Sequence, residues 1–449
     1  MPKEQYDFTK GNVLRQLVLF SGPIILANLL QSSYQIIDSL WVGNLLGASG
    51  LGAVSISSTI VFTMLAFVIG LNNAALTILS QQKGLKNDTG MRNYLNAFVV
   101  ILTAMSLIFG IFGFVLAEPL LRLLNTPENI LPIARDYLRI NFLGVLFLFG
   151  YNFISTVLRA MGDSKNPLKF VALAVVLNIV LDPLFISVFD LGVSGAAYAT
   201  ILSQVVALAY GAYFVLSNKL APFEPPHMPK WEEVKLILNL GIPSGLQMAV
   251  ISAGLAAITG VVAKFGSQII GGYGAAQRLD SVIMLPAQSL GISVNSMAGQ
   301  NISKNNWSRV REIMKYGLLY NFIVMCTIGV LIFVFGKYLV MLFIQDQTAV
   351  HFATSYLQIM AFCFPFLGVN FVLNGIMRAA GAMYQVLILN IISFWILRYP
   401  FAYLFAELYQ ERGIPIGIGA SFIMTSLVAI GYYRFGGWRK KKLFKSRET

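Results

Sequence analysis

Long apolar runs leave this chain few ways to fold. A helix that crosses a bilayer needs about 20 consecutive, mostly apolar residues. Runs of that order fall at 14–41, 53–80, 94–117, 133–157, 168–189, 193–217, 234–262, 272–300, 313–336, 351–376, 383–406 and 414–434. Charged residues make up 11% of the chain and hydrophobic ones 57%, whereas a soluble domain carries about 25% charged residues. Backbone polar groups inside lipid must bond to one another, which leaves helices and closed barrels as spanning structures, and runs of this length select helices. The expectation is an all-α polytopic membrane protein with twelve transmembrane helices. The first run is too long for the apolar core of a cleavable leader, so no such leader is expected.

Basic residues set the orientation. With twelve spans, Lys10, Arg15, Lys83, Lys86, Arg92, Arg159, Lys165, Lys169, the 219–235 segment, the 304–315 segment, Arg378, Lys3 and the tail "WRKKKLFKSR" all fall on one side. The other side holds Arg122, Arg135, Arg139, Lys264, Lys337 and Arg412. This bias predicts cytoplasmic termini in a cell (inner) membrane. The net charge of +13 therefore reflects topology and anchoring on anionic lipid rather than nucleic-acid binding. Cys326 and Cys363 sit in apolar runs and are expected to pack. There is no CxxC or HExxH, and there are two histidines, so neither metal nor cofactor is expected.

The two halves of the chain resemble each other. "VLRAMG" at 157–162 returns as "IMRAAG" at 376–381, Pro23 in "FSGPII" returns as Pro243 in "LGIPSG", and "ILSQQKG" returns as "MAGQNIS". The spacing is about 220 residues, so each half holds six spans of like topology, as in parallel transporter repeats that alternate access to a midplane site. The expected division is an N-terminal lobe at 1–216, a cytoplasmic linker at 217–233, a C-terminal lobe at 234–434 and a basic tail at 435–449.

Acids inside the spans are few. Asp38 lies in "SSYQIIDSLWVG", with Gln31 and Tyr34 on the same helix face. A carboxylate at mid-membrane costs about 2.5–3.5 kcal/mol on insertion scales. Apolar surroundings favour the neutral form, so such a group can exchange a proton or pair with a cation. Tyr34 could stack on a lipophilic cation; the plainer alternative is polar packing against a neighbouring helix. Asp182 shares a face with Asn178, and Pro183 frees a backbone carbonyl beside it. Alternatively, "DP" marks a solvated helix end. Arg278 is expected at the interface, its charge snorkelling to water.

Two six-span halves, a Gly/Ser-x-Pro start to the first and seventh spans, and RA-x-G closing the fourth and tenth resemble the MATE multidrug and toxic compound extrusion transporters over nearly the whole chain. The NorM-type branch carries acids in the seventh and tenth spans; this chain has none there. Acids at Asp38 and Asp182 resemble the DinF branch instead. That resemblance implies a coupling network in which Tyr137 and Thr200 join Asp38, Asp182 and Asn178, with Asn152 a further candidate. It implies a substrate site at Asp38, Tyr34 and Gln31 and a hinge at Pro23. The expected function is proton-coupled antiport of amphipathic organic cations by a monomer, with no enzymatic activity. Sodium coupling at the same acids is the first alternative. A lipid-linked oligosaccharide flippase of the same superfamily is the second, and an intramembrane aspartyl protease the third, although the chain lacks GxGD. No Walker A motif points to ATP.

Overall fold

A computed structural model describes residues 5–444; Lys3, Lys445 and Arg447 of the basic set lie outside them. Among the described residues the regular structure is entirely helical. The first half contains α1 (Val13–Leu85), α2 (Asp88–Leu123), α3 (Leu131–Leu143), α4 (Val145–Ala160), α5 (Lys165–Pro183) and α6 (Gly192–Ser217). The second contains α7 (Trp231–Ala263), α8 (Ser267–Ile283), α9 (Leu285–Ile302), α10 (Trp307–Met341), α11 (Gln347–Ala361), α12 (Phe364–Ala379), α13 (Met383–Ile391), α14 (Tyr399–Tyr409) and α15 (Gly413–Phe435).

Twelve spans emerge once the breaks are placed. α1 is two spans joined at Gly47, whose φ of 69° and ψ of −164° lie in a region open essentially to glycine alone. The loop expected around 42–52 is thus a one-residue kink. α3 and α4 form one span bent by 48°, and α11 and α12 form another bent by 55°. Pro365 and Pro286 stand at the starts of α12 and α9, where a missing N–H costs little. α8 with α9 makes a further span, as does α13 with α14 through a π-helical stretch, Ile392–Arg398.

The duplication is written into the backbone. Positive φ recurs at Gly47 and Gly266, Lys86 and Asn305, Gly162 and Gly381, and Asp190 and Gln410, each pair at the spacing of the sequence repeat. In the "VLRAMG" turn, Gly162 has φ +88°, and a Cβ there would collide with the Tyr6 carbonyl oxygen. Tyr6 N–H in turn donates to the Gly162 carbonyl at 3.1 Å. Only glycine satisfies both the dihedral and the close approach.

The described residues form two compact units: residues 5–7 with Gly22–Ile242, and Phe8–Ser21 with residues 243–444. The repeat prolines Pro23 and Pro243 therefore lie at the switch points. In the second unit Phe8 is buried, edge-on to Phe20 at 4.9 Å. Arg309 donates to the carbonyls of Phe8, Lys10 and Gly11 at 2.7, 2.7 and 2.9 Å. In the first unit the linker docks on α2, where Asn96 exchanges two hydrogen bonds with the His227 backbone.

Outward faces are apolar, as lipid contact requires: Ile111 and Val115 of α2 are 63% and 64% exposed. Cys326 is also exposed, and Cys363 is buried. The basic tail is more than an electrostatic anchor. Trp438 is buried and donates Nε1–H to the Tyr433 carbonyl at 2.8 Å.

Candidate functional site

The acids of the first half converge. Asp182 sits in the last turn of α5, just before the π-helical stretch Leu184–Val188. It is fully buried, which removes the solvated-helix-end alternative. Pro183 offers no N–H to the Ile179 carbonyl, and the helix continues past it as the π-helical stretch. Asn178, one turn earlier and also buried, donates Nδ2–H to Asp182 Oδ1 at 3.2 Å. The same amide lies 3.4 Å from Thr200 Oγ1 on α6. Thr200 in turn shares a 3.0 Å hydrogen bond with Tyr34 Oη on α1.

Asp38 stands one helical turn from Tyr34, close enough to Asp182 for one protonated carboxyl to donate to the other. Tyr137 of α3 is buried within electrostatic reach of both acids. Tyr137 packs in an apolar cluster with Val42, Val54, Ile140, Ile186 and Val193, of which Val42 lies one turn after Asp38 and Ile186 one turn after Asp182. Four helices thus contribute: α1 brings Tyr34 and Asp38, α3 Tyr137, α5 Asn178 and Asp182, and α6 Thr200.

The hydrogen bonding is incomplete in one direction. Asp38 Oδ1, Asp182 Oδ2 and Asn178 Oδ1 are buried acceptors without a donor. Buried acceptors are nearly always paired, and two adjacent carboxylates beside an apolar cluster repel each other when both are ionised. A proton or a small cation would relieve both conditions.

The remaining expected residues sit elsewhere. Asn152 bonds back to the Leu148 carbonyl on its own helix at 2.8 Å and does not join the cluster. Gln31 lies half-buried one turn before Tyr34. Pro23 lies within α1, which runs through it without a break. One neighbour escaped the sequence reading: Trp41 packs on the same apolar cluster, and its buried Nε1–H has no acceptor. Its position three residues after Asp38 was the available signal. Arg278 is exposed, 5.9 Å from the Phe343 ring centroid, consistent with an interfacial cation. Lys264 pairs with Glu407 at 3.4 Å on the surface.

Known proteins share the fold described above. The MatE family model matches twice, at residues 23–184 and 243–404. The chain is 61% identical over 442 residues to the probable multidrug resistance protein YpnP of Bacillus subtilis, covering 98% of this chain and 99% of that one. It is 29% identical to the probable multidrug resistance protein YoeA of the same organism, over 97% of this chain and 96% of that one. An outward-facing structure of a multidrug resistance MATE family transporter of the MOP superfamily superposes with a TM-score of 0.92 at 22% identity, over 98% of this chain and all of that one. With the family matched once in each half, and a relative of this identity matched end to end, the chain belongs to the MatE (MATE) family of membrane transporters.

Proposed function

We propose that this protein exports amphipathic organic cations in exchange for protons, with Asp38 and Asp182 as the site where proton and substrate compete. The observation that carries the reading is the set of donor-less acceptors, Asp38 Oδ1, Asp182 Oδ2 and Asn178 Oδ1, gathered at one place beside an apolar cluster. With a proton on the pair the cluster is electrically quieter and self-bonded. Without it, the pair offers negative charge beside Tyr34, a ring suited to a lipophilic cation. The names of the two Bacillus relatives, both probable multidrug resistance proteins, support a broad range of small organic substrates. Placement of Lys and Arg supports a cell-membrane protein with both termini cytoplasmic, acting as a single chain. Pro23 supplies a point at which the first span can bend, so that a change at Asp38 could reshape the N-terminal half. The pattern of N-half acids supports a DinF-like assignment within the family.

A second reading is favoured by the same oxygens. Two carboxylates and an amide carbonyl are hard ligands that suit sodium. The experiment that separates the readings is drug resistance and dye efflux with Asp38→Asn at wild-type expression, run with proton and sodium gradients imposed separately. Under the proton reading the variant loses pH-driven efflux; full pH-responsive efflux from it would reject the assignment.

A further inference from the structure

The second half holds a buried charged cluster that the reading above does not use. Asp280 of α8 is 6% exposed, and Arg398, the last residue of the π-helical stretch Ile392–Arg398, is 5% exposed. Tyr356 of α11 donates Oη–H to Asp280 Oδ2 at 2.9 Å. Asp280 Oδ1 has no partner, and neither has Arg398 Nε. The guanidinium lies over Phe394 at 3.8 Å and Phe422 at 4.5 Å from the ring centroids. Arg398 and Asp280 are within electrostatic reach of one another.

The titratable and charged groups facing Asp280 are few. α11 presents Tyr356, α8 itself presents Tyr273, and the π-helical stretch presents Arg398. Tyr399 of α14 packs at the edge of the same core. From α7, α9, α10 and α15, Ile258, Ala287, Met325 and Phe422 belong to the apolar core beside it.

A cleft of 360 Å³ opens beside this cluster, at the end of the unit where α8, α11 and α15 begin. That end is the external one under the charge bias of the loops. Its polar and charged walls include Thr348, His351, Ser355, Tyr356, Glu411 and Arg412, so the titratable and charged side chains on the approach are His351, Glu411 and Arg412. Tyr356 is thus both a wall of the cleft and the donor to Asp280. A hydroxyl in that position can pass a proton inward, because it donates and accepts.

We propose that the C-terminal half carries its own proton-binding site, Asp280, addressed from the external cleft through Tyr356 and balanced by Arg398. The nearby guanidinium disfavours a metal cation, which also would find only one carboxylate and a phenol as oxygen ligands. A proton has no such requirement. Protonating Asp280 leaves Arg398 as a buried cation without its counter-charge, a costly state. The π-helical stretch that carries Arg398 and the span it interrupts are then driven to rearrange. This site is separate from Asp38 and Asp182, and it stands even if those acids bind sodium.

The test is infrared difference spectroscopy of the full chain in lipid nanodiscs as pH is stepped, following the C=O stretch of protonated carboxyls. The background is Asp38→Asn with Asp182→Asn, which silences the N-half pair. A carboxyl band that rises on acidification should persist there and vanish when Asp280→Asn is added. Tyr356→Phe, which removes a single hydroxyl, should keep the band and move it to higher frequency through loss of the hydrogen bond. The band should be unchanged when sodium is exchanged for choline. A difference spectrum unaltered by Asp280→Asn would overturn the proposal and leave Asp280 as a permanently ionised partner of Arg398. So would a silent Tyr356→Phe, or a band suppressed by sodium.

Discussion

Tyr34 and Thr200 are 166 positions apart in sequence, yet their hydroxyls meet at 3.0 Å. That bond ties the acid-bearing part of α1 to α6 and, through Asn178, to α5. Replacing Tyr34 by Phe keeps the ring and removes the bond. Such a change costs about 0.5–1.5 kcal/mol of stability, read as a lower melting temperature in detergent. Efflux should fall a few-fold without being abolished, since the acids stay in place. A variant with unchanged stability and unchanged efflux would contradict the linkage.

Asp38 and Asp182 should behave as one unit. Either Asn substitution removes a member of the pair, and groups that act together give strongly non-additive losses. Dye efflux from cells expressing Asp38→Asn, Asp182→Asn and the double variant at equal levels is the measurement. Each single change should abolish most proton-driven efflux, and the double should be no worse. Independent, multiplying effects would contradict a shared site.

Asn178 and Asn152 both sit on helices of the first half, but only Asn178 points its amide at the acid cluster. Asn178→Ala removes the donor to Asp182 and should sharply reduce efflux, at a stability cost of about 1–3 kcal/mol for the stranded acceptor. Asn152→Ala cuts a bond internal to its own helix and should leave transport close to wild type. Parallel resistance measurements decide; equal losses in both variants would argue against the observed grouping.

The glycines of the repeat offer a test of the fold alone. Gly47→Ala faces open space but an unfavourable backbone conformation, worth about 1–3 kcal/mol. Gly162→Ala adds a collision with the Tyr6 carbonyl to its positive φ, so it should be the more destabilising of the two. Thermal unfolding of the purified variants in detergent ranks them, and the reverse order would contradict the packing described for the "VLRAMG" turn.

Much of this architecture was readable in advance. The twelve spans follow from runs of apolar residues, because lipid leaves no other use for them, and the repeat follows from "VLRAMG" and "IMRAAG". What periodicity could not supply was the breaks. Pro183, Pro365 and Pro400 stand beside the π-helical stretches and the α11–α12 bend, but a proline marks a possible break without fixing its angle or its form, and the Gly47 kink replaced an expected loop. Within the site, Asp38 and Asp182 stood out because a carboxyl in an apolar span is expensive. Tyr137 and Thr200 carry no such penalty, and the family resemblance, not the residues themselves, pointed to them. Asn152, suggested in the same way, lies outside the cluster. Asp280 and Arg398 fall inside the apolar runs 272–300 and 383–406. Their grouping was not legible there, because Asp280 and Arg398 are brought together by packing between spans far apart in the chain.

The central claim, that the N-half acids couple export to protons, is tested most directly in vesicles holding the purified protein. A cationic dye is followed while a proton gradient or a sodium gradient is imposed at fixed opposing conditions, with wild type and Asp38→Asn side by side. The account predicts that the proton gradient drives dye movement in wild type, that sodium does not, and that Asp38→Asn is inert to both. Dye movement driven by sodium at constant pH, or undiminished proton-driven movement in Asp38→Asn, would contradict it.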